Sequence, residues 1–302
     1  MTRTLFILRT FNDIDHISPV IWKFIQKGEH PIILFHSSYD YESDYRIQFL
    51  RKTGEIEIFQ KPDFEFERII VGIGSEHSQS LLRRLAAKWY LRKRNPHSII
   101  GKLKRRFFFD CSVEMDWLRD KNVSAIVFEW NNPTGRGEIL EKYFISAKAL
   151  GIPTFSIPHG CNIYLNSDIH DGYRKYMAKG RLPNFKDRNA FDYYVVQSRY
   201  HLEHFVRFGL QRSKIQAWGS TRFSPEWQEI NLSLCQKFEP EKEVGNRLKI
   251  VFMLPHWNYN VDKQKTLALL DKIANLDWVF MVVKDHTRGA VGLLPVYYQL
   301  DF

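Results

Sequence analysis

An α/β fold built from parallel sheets is what this sequence of 302 residues predicts, on three observations. Short β-rich runs alternate with longer segments of helical periodicity along most of the chain, which is the pattern of strand–helix–strand units. The length exceeds one ordinary core and suits two domains. The composition, 44% hydrophobic and 26% charged, is that of a globular protein, and no run approaches the roughly 18 to 20 consecutive apolar residues of a membrane-spanning helix.

The elements follow in order. "LFILRT" (5–10) and "PIILFH" (31–36) are continuous apolar runs bounded by polar residues, "EIEIF" (55–59) alternates, and "RIIV" (68–71), "AIVFE" (125–129) and "TFSI" (154–157) are short and β-branched or aromatic; all six read as strands. Between them, residues 17–26, 78–93, 113–119 and 138–150 repeat apolar positions at helical spacing, the first opened by Ser18-Pro19. Residues 160–190, rich in Asn, Asp, Gly, Tyr and Lys, carry little periodicity and read as a long connection. A second series then begins at "FDYYVVQS", with a helix near 201–208 and strands at 214–218, 249–254 and 278–283. The expected division is therefore 1–180 and 181–302, the second domain holding four strands and ending early.

The net charge of +10 has one source. Residues 83–106 hold ten Lys or Arg and no acid, leaving 34 of each sign elsewhere. Leu81, Leu82, Leu85, Ala86, Trp89 and Tyr90 recur at helical spacing there, with Arg84, Lys88, Arg92, Lys93 and Arg94 around them. A basic amphipathic helix of this kind either packs on its own domain with a solvated face or adsorbs to an anionic membrane, where each cation adds about 1 kcal/mol. Nucleic acid is not an expected partner, since no recognition module accompanies the patch. The amino terminus lacks the h-region and cleavage site of a signal peptide, and Cys111, Cys161 and Cys235 are scattered without metal-binding spacing. A cytoplasmic protein with reduced thiols and no metal or cofactor is expected.

Ligands of open α/β sheets sit beyond the carboxyl ends of strands, so the residues that follow each predicted strand are the candidates. In "RTFNDIDH" stand Asn12, Asp13, Asp15 and His16; this Asp-x-Asp suits a helix cap better than a cation, with Asp15 and His16 near an acceptor. In "VFEWNNPTGRGE", Glu129 and Asn131 orient a hydroxyl, act as a base, or merely tie down the turn. "VGIGSEH" lacks the third glycine of a dinucleotide fingerprint. In "SIPHGCN", Pro158 ends a strand, Gly160 frees the backbone, and His159 is left with a side chain suited to general-base work. In "VVKDHTRG", Lys284, His286 and Arg288 cluster after the last strand and suit phosphates, as do the backbone N–H groups at the helix start after "AWGSTRFSPEW". A base at one strand end and positive charge at another describe group transfer.

Taken in order, "IPHGCN", "YYVVQSRYHLEHFVRFGLQRSKIQAWGSTRFSPEW", "VFMLPHWNYN" and "VVKDHTR" resemble motifs of bacterial surface-polysaccharide transferases of GT-B architecture, above all relatives of CDP-glycerol glycerophosphotransferase. The resemblance covers most of residues 120–290. It implies two Rossmann-like domains, His159 at the transfer centre, and His286 with Arg222 and Ser220 on the donor phosphates. Thr287 stands where the family has proline, and the chain ends before the family's Ser-Ser donor segment, which implies an incomplete second domain.

The expected activity is metal-independent transfer of a glycosyl or glycerophosphoryl group from a CDP-, CMP- or UDP-linked donor to a surface glycan or lipid-linked acceptor. His159, Asp15 and Glu129 are the catalytic candidates. Lys284, His286, Arg288, Arg222 and Ser220 are placed on the donor, Asn12, His16 and Asn131 on the acceptor, and Arg84, Lys88, Trp89, Arg92, Lys93 and Arg94 on the membrane. An epimerase acting on UDP-N-acetylglucosamine is the alternative within the same fold, and would draw on Asp13, Asp15 or Glu129. An inactive nucleotide-binding homologue is the third.

Overall fold

The computed structural model describes residues 3–9, 11–36, 39–60, 111–129, 138–157, 175, 177–234, 245–254, 257 and 261–284. Two compact units divide the chain: Met1–Cys161 with Asn184–Cys235, and Asn162–Pro183 with Gln236–Phe302.

Seven parallel strands form the sheet of the first unit. In chain order its elements are β1 (Arg3–Leu8), α1 (Phe11–Gln26), β2 (Ile32–Phe35), α2 (Tyr45–Thr53), β3 (Glu57–Gln60), α3 (Ser112–Asp120), β4 (Val123–Glu129), α4 (Glu138–Ala149), β5 (Thr154–Ile157), β6 (Tyr193–Val196), α5 (Arg199–Arg207), β7 (Ile215–Ala217) and α6 (Pro225–Leu234). The spatial order is β3-β2-β1-β4-β5-β6-β7. The strands therefore run outward in one direction from β1 and in the other from β4, and right-handed crossovers then put the two sets of connecting helices on opposite faces. Leu5 to Leu8 are all fully buried, as a central strand covered on both faces requires.

Alternation along β1 assigns its side chains. Phe6 and Leu8 join Ile14, Ile17, Ile21 and Trp22 of α1 and Trp227 of α6 in one core. On β4, Phe128 meets Phe144 and Phe191 in edge-on contacts at 5.9 and 5.6 Å, and Phe191 continues to Tyr194. Burying such aromatics contributes about 2 to 3 kcal/mol each.

Three expectations change. The helix expected from residue 17 starts at Phe11 and encloses Pro19. Its buried stripe begins at Ile14 and continues through Ile17 and Ile21, and that burial offsets the hydrogen bond Pro19 cannot donate. The strands at "YYVV" and near 214–218 do not open a second sheet. β6 pairs with β5 (Phe155↔Tyr193, Ser156↔Tyr194) and β7 with β6, so the division expected at 180/181 does not follow the sheets. The polar stretch 160–190 separates β5 from β6 along the chain but not in space. Finally, the helix Tyr45–Thr53, capped by the Asp44 side chain on the Arg46 N–H, was not expected.

The second unit holds β8 (Leu248–Met253), α7 (Lys263–Ala274) and β9 (Val279–Lys284). β8 and β9 pair in parallel from Leu248↔Val279 to Met253↔Lys284. Leu270 of α7 packs with Val279, Met281 and Val283. The α/β class with two parallel sheets is thus as expected, two of the four later strands forming the second. Among the described residues no helix is long and apolar enough to cross a membrane. The basic segment 83–106, with Arg84, Lys88, Trp89, Arg92, Lys93 and Arg94, lies outside the described residues, as do the strand at 68–71 and the helix at 78–93.

Candidate functional site

The strand order reverses between β1 and β4, which is where an open α/β sheet leaves a crevice beyond its carboxyl ends. Four polar side chains meet there: Arg9 after β1, Asp13 in the first turn of α1, His36 after β2, and Glu129 at the end of β4. The Arg9 guanidinium lies 3.2 Å from Glu129 Oε1, and the Arg9 backbone N–H donates to Asp13 Oδ2 at 2.7 Å. The Asp13 carboxyl neighbours that of Glu129, and the two act on each other electrostatically.

Burial sets the cost of ionising these carboxyls. Asp13 is 0% and Glu129 1% exposed. Loss of solvation, then the neighbouring Glu129 carboxyl, push the Asp13 carboxyl from its ordinary 3.8 up to about 8, against the pull of Arg9. His36 moves the other way: burial and the nearby Arg9 cation lower it from 6.5 to about 4, with Glu129 opposing. At neutral pH the group therefore holds the Arg9 guanidinium, a neutral His36 and a protonated Asp13. Arg9 and His36 are the partly exposed members, the Arg9 side chain being 36% exposed.

Two residues further along α1, Asp15 has the opposite surroundings. Its carboxylate accepts from Arg46 Nη1 at 3.0 Å and pairs with Arg222 Nη1 at 2.9 Å. The fully buried Arg46 also donates to Asp44 through Nη2 at 2.6 Å and Nε at 3.0 Å, and stacks 4.1 Å over Phe11. Asp44 accepts from Tyr39 Oη as well. Burial acts to raise Asp44, yet these donors hold it below the usual carboxylate range. Arg222 also approaches His16 Nε2 at 3.3 Å, and Thr221 Oγ1 donates to the His16 carbonyl. In this arrangement Asp15, His16 and Arg222 tie the turn after β7 to α1.

That turn also edges a cavity of about 290 Å³ over the β4–β5 face, lined by Val20 and Phe24 of α1, Val127, Phe155, Trp218 and Ser220. Gly219 makes the turn at φ 90°, a backbone angle that favours glycine. Asn12 lies in the first turn of α1, and Lys284 ends β9 in the second unit. His159, His286, Arg288 and Asn131 lie outside the described residues. The structure thus brings Glu129 together with Asp13, and Asp15 with His16 and Arg222. Sequence reasoning passed over Arg9, His36 and Arg46. The first two had a legible signal, a titratable residue directly after a strand; Arg46 had none, because one partner stands 31 residues away.

No family model matches the chain, and no curated protein matches it. Solved structures do. A putative UDP-N-acetylglucosamine 2-epimerase from Listeria monocytogenes superposes with a TM-score of 0.51 at 9% identity, over 95% of this chain and 63% of its own. The likeness is one of fold. The Neisseria meningitidis UDP-GlcNAc 2-epimerase bound to UDP-GlcNAc follows at 0.47, 13% identity, 95% and 66% coverage. A glycosyltransferase from Streptomyces nogalater follows at 0.41, 15% identity, 98% and 69%. The chain thus spans about 63% of the length of the Listeria structure that it matches.

Proposed function

We propose that this chain is a nucleotide-sugar-type transferase of GT-B architecture, moving a glycosyl or glycerophosphoryl group from a nucleotide-activated donor to a glycan or lipid-linked acceptor. The single observation that carries the reading is the charged group of Arg9, Asp13, His36 and Glu129 at the strand-order reversal, where sheets of this type take their ligands. His159 is assigned the base that removes the acceptor hydroxyl proton. The freed oxygen attacks the anomeric carbon or the phosphorus, its new bond forms as the bond to the nucleotide breaks, and the nucleotide leaves with the electron pair. Lys284, His286, Arg288, Arg222 and Ser220 are assigned to the leaving nucleotide, Asn12, His16 and Asn131 to the acceptor. No metal or cofactor is assigned a role. The basic segment 83–106 is assigned to the anionic face of a cytoplasmic membrane, where lipid-linked acceptors reside.

Two measurements test this. A nucleotide at a hundredfold its dissociation constant adds about 2.7 kcal/mol of apparent stability, so CDP, CMP or UDP is expected to raise the melting temperature. Free nucleotide is then expected from an activated donor only when an acceptor glycan is supplied. The buried carboxyl pair favours a second reading, epimerisation of a UDP-sugar, because a proton held at the sheet's carboxyl end suits proton movement on the sugar itself. Conversion of a UDP-sugar without acceptor selects that reading over transfer.

A further inference from the structure

The two faces of the first sheet are closed differently. On the face that carries Phe128 and Tyr194, Phe144 of α4 and Phe205 of α5 meet the strands in ring contacts of 5.9 and 5.6 Å. Side chains alternate along a strand, so β4, β5 and β6 present Ala125, Val127, Phe155, Ile157 and Val195 on the other face, and these line the cavity of about 290 Å³. Among the described residues, what stands across from them is one stripe of α1, His16, Val20 and Phe24, together with the turn at 218–221. The two walls match in length. On the sheet the lining runs from the level of Ala125, paired with Thr4, to that of Ile157, paired with Glu129, a rise of about 13 Å. On the helix, His16 to Phe24 spans about 12 Å. A volume of about 290 Å³ over such a length is a narrow slot, the shape of an extended hydrocarbon chain and not of a fused ring system.

The chemistry of the walls agrees with the shape. Among the described residues no Asp, Glu, Lys or Arg lines the slot, so a nucleotide or phosphate would lose its solvation there without an opposing charge. Val127 and Val195, each 5% exposed, form the deep part, whereas Trp218 is 64% exposed. The slot therefore opens beside Trp218, where Ser220 and Thr221 bring hydroxyls. Ile157 reaches this end level with Glu129, so the mouth lies at the carboxyl edge of the sheet. We propose that the slot holds the hydrocarbon chain of the acceptor lipid, with the lipid's polar head outside, against Trp218, Ser220 and Thr221. Removal of the chain's surface from water draws it in, and the position of the mouth leaves the head at the edge where Glu129 stands. The inference rests on the transferase reading only for calling this lipid the acceptor. A second copy of the chain seated on the same face is the competing occupant, and a slot of finite length separates the two.

The test titrates n-alkyl β-glucosides, with chains of about six to about fourteen carbons and each below its micelle-forming concentration, into the intact chain by calorimetry. Every buried methylene is expected to tighten binding about fourfold until the slot is full. An apolar cavity of about 150 Å³ takes benzene, so the gain is expected to stop near about twelve carbons. Ala125→Leu puts about three more carbons into the slot and is expected to stop the gain about three carbons sooner, in a chain that thermal unfolding finds as stable as wild type or more so. Trp218→Ala, at an exposed position, is expected to weaken every chain length about fivefold without moving the stopping point. No binding, affinity that keeps rising through about fourteen carbons, or one stopping point shared by wild type and Ala125→Leu overturns the proposal. Self-association that Ala125→Leu abolishes, with no glucoside bound, gives the face to a second copy and overturns it as well. Binding is read without a donor, so the two readings fail separately. A slot that fills as expected in a chain that turns over no activated donor sinks the transferase reading and leaves the site standing, and transfer to a glycan by a chain that binds no glucoside does the reverse.

Discussion

Asp13 and Asp15 are the same residue type, two positions apart on α1 and both buried, yet they serve opposite ends. Asp15 stands between two guanidiniums, Arg46 at 3.0 Å and Arg222 at 2.9 Å, and is a structural anion. Asp13 faces another carboxyl and rises to about 8. The difference lies in what the topology delivers. α2 and the turn after β7 bring cations to Asp15, while the strand-order reversal brings Glu129 to Asp13. A carboxylate satisfied by two cations has little left to offer a ligand, whereas a carboxyl that keeps its proton at neutral pH retains chemistry.

The comparison breaks most readily at its structural half. Replacing Arg46 by Met strands Asp44 and half of the Asp15 network in a buried site, and is expected to cost about 3–5 kcal/mol in urea unfolding. The Asp13 half shows in pH dependence. Between its ordinary 3.8 and about 8 the folded Asp13 holds a proton that the unfolded chain has released. Its contribution is therefore fully present at acid pH and lost as pH rises through about 8, by the order of 1 kcal/mol per pH unit. Asp13→Asn is expected to remove that slope and to be more stable than wild type at alkaline pH, read by thermal unfolding across the series.

His36 sharpens the contrast from the other side. Lowered from 6.5 to about 4, it contributes stability above 6.5 that is lost as pH falls toward 4. In the wild type the two slopes oppose each other across that interval, so His36→Gln is expected to unmask the Asp13 slope there by a similar order of 1 kcal/mol per pH unit. The smallest effect is expected at Arg222. Its side chain is 43% exposed, and Arg222→Gln is expected to change urea stability by about 1 kcal/mol or less.

Much of the first sheet was legible because its strands are short apolar runs with polar ends. The run at 154–157 coincides with β5, and that at 125–129 falls within β4. α1 was read six residues short because Asp13, Asp15 and His16 interrupt its apolar stripe. They are buried all the same, through partners on β4, α2 and the turn after β7. The same limit governs the site. Glu129 was visible as an acid ending a strand, but its pairing with Asp13 depends on β1 and β4 being neighbours, although well over a hundred residues separate them in sequence. β6 and β7 were assigned to a second domain because a polar stretch looks like a linker whether or not the sheet continues past it.

The proton held by Asp13 at neutral pH is the claim on which the comparison turns, and carbon-13 NMR of the aspartate side-chain carboxyls observes it directly. One resonance is expected to remain in the protonated position at neutral pH, to titrate near about 8, and to be missing in Asp13→Asn. If instead every aspartate carboxyl titrates in the usual range near about 4, Asp13 holds no proton at neutral pH, and the contrast drawn between it and Asp15 is wrong.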